Sequence, residues 1–411
     1  MAKHGNYRFE LTLATLAYVA VIAYGTLFST GDWRVPREFH FLAWEGLRIA
    51  SRADMLENVL GYLPLGVLLA LRLGLSTSRG VAVTVTLLAA ALLSLSLEMI
   101  QVFVPGRNSS ATDLLMNTIG TFVGALGSAI FDPRQAPSRI LLRIRNAWFR
   151  PGLAGNLGVA VVVLWIASQL SPFIPTIDVA TVRQGLSSAW HTLRDPESLN
   201  FSQALTYACY LSALGAVWSF AVREDRAGVG IYSVLVLAVL LAKPFFLGRE
   251  LSLEALIGFS ASILLIAIQS GWPDRVRGTI GAMMLGAGFL VYEFTPAAGP
   301  FHEFNWVPFR AEITDTLNGL MGMAGLIWVF FTLGALIRVS SSRYQRRAYA
   351  LLGGLAVVFL VGLCEWFQQL IPGRYGDVTT VGIALVGWIA ACRFPEKGEV
   401  FAAASLSRKR T

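Results

Sequence analysis

The sequence predicts an all-α, polytopic transmembrane helical bundle of about twelve helices, arranged as three degenerate four-helix repeats. The chain is 55% hydrophobic and only 14% charged, with a mean hydropathy of +0.60, whereas soluble proteins average about 25% charged residues. Apolar runs of about 20 residues, the length that spans a bilayer, recur along the whole chain. Basic residues concentrate in the short connections between these runs, a distribution typical of multi-pass membrane proteins.

Each predicted element is an apolar run bounded by polar or helix-breaking residues. The first run follows Lys3 and Arg8 and is too long for a signal-peptide core, so we expect it to be retained as a helix. The second run contains Glu57 and Asn58 within an otherwise apolar stretch. The twelve predicted spans are 10–29, 55–73, 81–103, 111–131, 153–173, 202–222, 228–247, 252–270, 278–295, 312–337, 347–371 and 378–393.

The twelve spans fall into three groups that share one order of elements. In each group a long polar connection follows the first helix, and a Gly-Arg pair ends the third helix. The predicted units are residues 1–132, residues 133–275, and residues 276–411 with a basic tail. The Gly-Arg pairs are Gly106-Arg107, Gly248-Arg249 and Gly373-Arg374.

A polar motif repeats inside the apolar runs of the first and third groups. In the first group Glu98 and Gln101 precede the turn Pro105-Gly106-Arg107. A charge within a membrane span costs roughly 2.5–3.5 kcal/mol on insertion scales, so a repeated carboxylate indicates a functional site. The second copy consists of Glu365, Gln368, Pro372, Gly373 and Arg374.

The residues after the first motif predict a close-packed pair of helices. Glu98 and Gln101 are three residues apart and therefore share one helix face. Asn108–Asp113 opens the next helix with serines and an aspartate, which are good N-cap residues. Gly120 and Gly124 then form a face of small residues that lets another helix approach closely. In the third group we align Asp377 with Asp113, although the loop before it is shorter.

We expect the first unit to carry the better site, with the third unit holding a second copy. In the middle unit Leu240 and Lys243 stand at the places of the glutamate and the glutamine, which favours a structural role there. A second repeated pattern, F-H-x-x-x-W, occurs at 39–44 and 301–306 and is typical of interfacial anchors. The first-unit candidates are Asn58, Glu98, Gln101, Arg107, Asp113 and Asn117, and the second-copy candidates are Glu365, Gln368, Arg374 and Asp377.

Composition also excludes several classes of function. Cys209, Cys364 and Cys392 all lie in apolar runs, which argues against disulfides and a zinc site. The four histidines lack metal-ligand spacing, and there is no Gly-rich phosphate loop, so we predict no metal and no cofactor. The net charge of +8 is explained by membrane topology, and no nucleic-acid partner is predicted.

The basic residues also predict an orientation. Most lie in segments that are cytoplasmic if the N-terminus is inside, notably Arg134–Arg150 and Arg338–Arg347. Both termini are therefore predicted to be cytoplasmic, and each Gly-Arg pair is predicted to face outward.

Three functions are compatible with the polar motif. An outward-facing pocket could bind an envelope ligand such as a lipid head group or a cell-wall precursor. A buried carboxylate could couple proton movement to transport, as such groups often do in membrane bundles. The polar groups could instead be staples that lock helices together in a scaffold. No nucleophile–base pair is visible, so an enzymatic activity has the least support.

The first unit resembles the VanZ-like family of membrane proteins, named for the teicoplanin-resistance protein VanZ. The segments Glu57–Gly66, Glu98–Arg107 and Asp113–Gly120 carry the resemblance, which covers roughly residues 36–130. Residues 300–393 resemble a second, weaker copy. The resemblance implies a protein of the bacterial cytoplasmic membrane and cell envelope, in a family whose namesake is linked to glycopeptide resistance. We therefore expect the envelope ligand of the polar site to be a lipid head group, a lipid-linked or cell-wall precursor, or a glycopeptide, with membrane lipid as a partner.

Overall fold

The structure is a computed structural model of the chain. The structure describes residues 2–27, 35, 52–104, 109–131, 135–176, 178–224, 228–269, 271–310, 312, 316–341 and 345–394.

Within the described residues the chain is helical and contains no β-strand, which confirms the predicted fold class. The helices are α1 Ala2–Leu27, α2 Arg52–Gly74, α3 Arg79–Gln101, α4 Ala111–Gly127, α5 Ala136–Trp148, α6 Leu153–Leu170, α7 Val179–Arg194, α8 Phe201–Ala221, α9 Val229–Ala242, α10 Leu253–Gln269, α11 Asp274–Phe294, α12 Thr316–Ser340, α13 Arg346–Gln368 and α14 Val378–Arg393.

The chain divides into two compact units. The first unit comprises residues 1–143 and 398–411, and the second comprises residues 144–397. Helices α1 to α4 belong to the first unit, and α6 to α14 belong to the second. The second unit therefore holds two of the three predicted groups of four helices, and the division into three repeats stays a prediction about the sequence.

Every predicted span coincides with a helix. Among the described residues, 7 helices are long and apolar enough to cross a membrane, and α1, α9, α10 and α14 contain shorter apolar segments. Helix α11 is the remaining predicted span. Helices α5 and α7 lie in segments that were expected to be polar connections.

Outward-facing apolar stripes on several helices fit a lipid environment. On α13 the side chains of Leu351, Leu355 and Phe359 are 74%, 68% and 68% exposed. Their four-residue spacing places them on one helix face. A contiguous apolar stripe of this kind requires an apolar surrounding.

The second and fourth helices of the first group pack backbone to backbone. A side chain added at Gly120 would overlap the carbonyl of Val59 on α2, and one at Gly124 would overlap the carbonyl of Leu63. A side chain at Gly66 on α2 would in turn overlap Thr121 on α4. The predicted small-residue face is therefore confirmed.

The same pairing recurs twice in the second unit. Gly258 on α10 lies against Ala204 and Tyr207 on α8. Gly387 on α14 lies against Ile327 and Phe330 on α12. In each group the fourth helix thus uses a glycine to approach the second helix, which places the ends of the third and fourth helices near each other.

Candidate functional site

Glu98 lies at the end of α3 and holds the start of α4 in place. Its side chain is 3% exposed, and its Oε2 accepts a hydrogen bond from the backbone N–H of Ser110 at 2.9 Å. Ser110 is the N-cap of α4, and its hydroxyl accepts from the amides of Thr112 and Asp113. Asp113 therefore lies in the first turn of α4 and is not its cap.

In two amide side chains of the first unit, the N–H group has a hydrogen-bond partner and the buried carbonyl oxygen has none among the described residues. Nε2 of Gln101 donates to the carbonyl of Thr26 on α1 at 3.2 Å, and Nδ2 of Asn117 donates to Oγ of Ser94 at 2.9 Å. Their carbonyl oxygens are buried and have no partner among the described residues. Asn58 is half-buried on α2. Arg107 lies outside the described residues.

The second copy reproduces this arrangement. Oε2 of Glu365 accepts from the backbone N–H of Asp377 at 2.8 Å, and Asp377 caps α14 by accepting from the amide of Thr379. Nε2 of Gln368 donates to the carboxylate of Glu293 and, at 3.5 Å, to its carbonyl. Glu365, Gln368, Asp377 and Glu293 are all 5% exposed or less.

The spacing of these contacts fixes the alignment of the two copies. Glu98 and Ser110 are 12 residues apart, as are Glu365 and Asp377. Gln101 and its partner on the first helix are 75 residues apart, as are Gln368 and Glu293. Asp377 therefore takes the place of Ser110 and not that of Asp113, and the loops before the two fourth helices are equally long. The sequence comparison had aligned Asp377 with Asp113, which lies three residues after the true counterpart, Ser110.

The two Gly-Arg pairs of the second unit cap the first helix of their groups. Nε and Nη2 of Arg374 donate to the carbonyls of Thr295 and Tyr292 at 3.0 and 2.6 Å, at the end of α11. Arg249 donates from its Nε and Nη2 to the backbone carbonyls of Ser171 and Ser168, respectively, at the end of α6. A cation at a helix C-terminus is favourable because the last carbonyls carry partial negative charge. Arg374 thus binds the carbonyls that end α11.

The preceding glycine makes this geometry possible. Gly248 has φ +70° and Gly373 has φ +69°, values that side-chain-bearing residues rarely adopt. The tight turn at this point aims the arginine back along the neighbouring helix.

A cavity of about 530 Å³, lined by both polar and apolar groups, lies within the second unit, at the end where α6 and α11 finish. It is lined by the four second-copy candidates together with groups from α6, α8, α11, α12 and the segment before α12. Its lining includes these charged, amide and aromatic residues: Tyr207, Tyr210, Arg249, Tyr292, Glu293, Glu312, Trp328, Glu365, Gln368, Arg374 and Asp377.

The second F-H-x-x-x-W segment supports this cavity from outside. Nδ2 of Asn305 donates to Oδ2 of Asp377 at 2.7 Å, and the two backbones pair at this point. Trp306 is 68% exposed and stacks near Phe304 and Trp366. His302 is exposed and meets the ring of Tyr375. The first segment, 39–44, lies outside the described residues.

Sequence reasoning missed Glu293 and Glu312. Glu293 ends the apolar run of α11, so the argument that singled out Glu98 would also have found it. Glu312 is the first residue of the predicted span 312–337, lies before α12 begins, and belongs to no repeated motif. Burial raises its pKa above the usual 4.5, and the nearby carboxylate of Asp377 raises it further.

Among the described residues, no group of three or more His, Cys, Asp or Glu is arranged to hold a metal ion. Because Oε2 of both Glu98 and Glu365 already accepts a backbone bond, each carboxylate stabilises a helix start. Glu365 does so as one of the residues that line the cavity.

Residues 13–132 match the family model described as VanZ/LLP1. The match covers less than a third of the chain and contains Glu98, Gln101, Asp113 and Asn117, so the VanZ-like resemblance of this region is confirmed. The weaker copy near 300–393 lies outside the matched residues and stays a prediction. No curated protein and no solved structure matches the chain. With its membrane-spanning helices, the chain is a multi-pass integral membrane protein.

Proposed function

We propose that this VanZ/LLP1-like membrane protein of the bacterial cell envelope binds the polar part of an envelope ligand in the cavity of its second unit. The observation that carries the proposal is the cavity itself, whose wall contains Glu365, Gln368, Arg374 and Asp377. A concave site of about 300–1,000 Å³ with a few convergent polar groups is the usual form of a small-ligand site.

The orientation predicted from the basic residues supports an outward opening. With both termini in the cytoplasm, the ends of α6 and α11 and both Gly-Arg turns of the second unit lie at the outer side of the cytoplasmic membrane. The cavity is at this end of the unit. A lipid head group or a lipid-linked cell-wall precursor can therefore reach it from the outer leaflet.

The sequence predicted the better site in the first unit, whereas the cavity of the proposed site lies in the second unit. Glu98 and Glu365 make the same backbone contact, so that contact alone does not separate a binding group from a structural staple. Within the part of the chain that the structure describes, Glu365 is grouped around one cavity with Glu293 and Asp377. A scaffold needs no such cavity.

The test is to identify what the purified protein retains. Full-length protein is incubated with a polar-lipid extract of bacterial membranes, washed, and analysed by native mass spectrometry. Glu365→Gln keeps an oxygen that can accept from Asp377 but loses the charge, so we expect it to lose most of the bound ligand. Glu98→Gln makes the same change in the first unit and is expected to retain it. Equal retention in both variants and wild type would support the scaffold function instead.

Proton-coupled transport is a second candidate, favoured by one observation. Glu293, Glu365 and Asp377 are all buried and line the same cavity, and intramembrane carboxylates often carry protons in transporters. The discriminating measurement is uptake of the retained ligand into proteoliposomes with and without a pH gradient. Gradient-driven uptake that Glu365→Gln abolishes would establish transport, whereas binding without uptake would leave the protein as a binder.

A further inference from the structure

We infer that the cavity of the second unit takes a zwitterionic head group that carries an ammonium ion, such as that of an ethanolamine phospholipid. This inference rests on the proposed function and specifies the chemistry of its ligand. Its basis is the charge, the unpaired polar groups and the aromatic walls of the cavity.

The charges around the cavity favour a cation. Four carboxylates line it, those of Glu293, Glu312, Glu365 and Asp377, against two guanidinium groups. Both guanidinium groups sit on helix C-termini, where the carbonyls offset part of their positive charge. Buried ionised carboxylates need a partner of opposite charge. An ammonium group of the ligand would supply such a partner and stabilise the ionised form of these carboxylates.

Two unpaired polar atoms belong to residues of the cavity wall. Oε2 of Glu312 is buried and has no hydrogen-bond partner among the described residues. Trp328 is 2% exposed, and its Nε1–H likewise has no acceptor in the described part of the chain. The first atom calls for a donor and the second for an acceptor. A head group with both an ammonium and an anionic oxygen provides the two together.

The arginines can hold the anionic end of the same head group. A guanidinium has five N–H donors, and the helix-capping bonds of Arg249 and Arg374 use Nε and Nη2 of each. The remaining donors suit a phosphate oxygen, for which arginine is the preferred partner. The cavity thus offers hydrogen-bond donors as well as carboxylates.

The aromatic walls add affinity for a cation. The guanidinium of Arg374 already lies over the ring of Tyr292 at 4.9 Å, and Nζ of Lys243 lies 5.6 Å from the ring of Tyr207. Tyr210 and Trp328 form a further edge-on pair on the cavity wall. Cation–π attraction is strongest in such desolvated surroundings.

The experiment compares two lipids that differ in the ammonium group. Full-length protein in detergent is titrated with phosphatidylethanolamine or phosphatidylglycerol of the same acyl chains, and occupancy is measured by native mass spectrometry. We expect wild type to prefer phosphatidylethanolamine. Glu312→Gln should reduce its affinity for that lipid roughly tenfold, the loss typical of one hydrogen bond to a charged group.

Glu303→Gln is the matched control, because Glu303 lies in the same connection but is exposed and outside the cavity lining. A preference that survives Glu303→Gln and disappears in Glu312→Gln supports the inference. Equal binding of the two lipids by wild type overturns it, while ligand retention that depends on Glu365 would still support the proposed function. Binding of neither lipid also overturns it. The extract experiment then decides separately whether any envelope ligand is bound.

Discussion

At the scale of single residues, glycines set how closely the helices of the first unit approach. Gly66 on α2 leaves no room for a side chain because Thr121 of α4 lies against it. For Gly61, on the same helix, no atom of the other described residues beyond its own stretch of helix lies within 4 Å of the place a side chain would take. A substitution at Gly66 therefore tests helix packing, whereas one at Gly61 tests only the conformational cost of glycine within a helix.

Gly66→Ala is expected to destabilise the first unit by roughly 1–3 kcal/mol, because overpacking forces α2 and α4 apart. Gly61→Ala is expected to be neutral or to stabilise by up to about 1 kcal/mol, since alanine restricts the unfolded chain. The measurement is thermal unfolding of the purified protein in detergent. Equal stability of the two variants would contradict the backbone contact between α2 and α4.

Glu312 gives a pH-dependent prediction at the same scale. Its pKa is raised in the folded protein, so folding disfavours its ionised form, and its contribution to stability falls as the pH rises above 4.5. Without ligand, Glu312→Gln should therefore be more stable than wild type at pH 7 and equally stable at pH 4. We expect a difference below about 1 kcal/mol, because solvent screens this partly exposed group. Thermal unfolding at the two pH values checks the sign, and a variant less stable at pH 7 would contradict it.

At the scale of elements, the repeated Gly-Arg pair is a device for ending the first helix of a group. Arg249 and Arg374 make the same two contacts, from the same nitrogens, to carbonyls three residues apart. The middle group keeps this pair although it has lost the glutamate and glutamine. Helix capping therefore accounts for the pair in both groups of the second unit, independently of ligand binding.

Arg374→Ala should destabilise the second unit by roughly 1.5–3 kcal/mol, the range for hydrogen bonds to a charged group. Arg275→Ala is the control, because Arg275 is exposed in the first turn of the same helix. There a cation faces the positive end of the helix dipole, so its removal should be neutral or slightly favourable. Unfolding temperatures in detergent compare the two variants, and the capping role fails if both behave alike.

At the scale of the whole molecule, the distribution of basic residues predicts which end of the second unit faces outward. Glu197 lies between α7 and α8, and Glu224 lies just after α8; both are exposed. The predicted orientation places Glu197 outside and Glu224 inside.

With the three native cysteines replaced, Glu197→Cys should react with a membrane-impermeant maleimide in intact cells. Glu224→Cys should react only after the membrane is permeabilised. Gel-shift labelling compares the two variants. The reverse pattern would place the cavity on the cytoplasmic side and would exclude a ligand that enters from the outer leaflet.

Much of the architecture follows from local sequence properties. Apolar runs of membrane-spanning length predict helices wherever they occur, and all twelve predicted spans coincide with helices of the structure. Gly120 and Gly124 predicted a close helix contact because small residues at helical spacing leave a groove on one face. The repeated Glu-x-x-Gln motif likewise identified Glu98 and Glu365, since a carboxylate is costly in any apolar span.

The amphipathic helices α5 and α7 were not predicted from the sequence, because they are not apolar along their whole length. Each lies in a segment rich in polar and basic residues, and hydropathy averaged over a span does not detect a short helix with one apolar face. Their exposed apolar side chains, such as Ile144 and Trp190, lie on such faces.

The sequence by itself determined that this is a helical membrane protein with a VanZ-like first unit and a buried carboxylate in two of its groups. Only the tertiary structure decided which polar residues share a space. Glu293, Glu312 and Arg249 come from three separate parts of the chain and meet Glu365 at one cavity. Hydropathy and spacing act within one helix, whereas the meeting of helix ends depends on how the helices pack against each other.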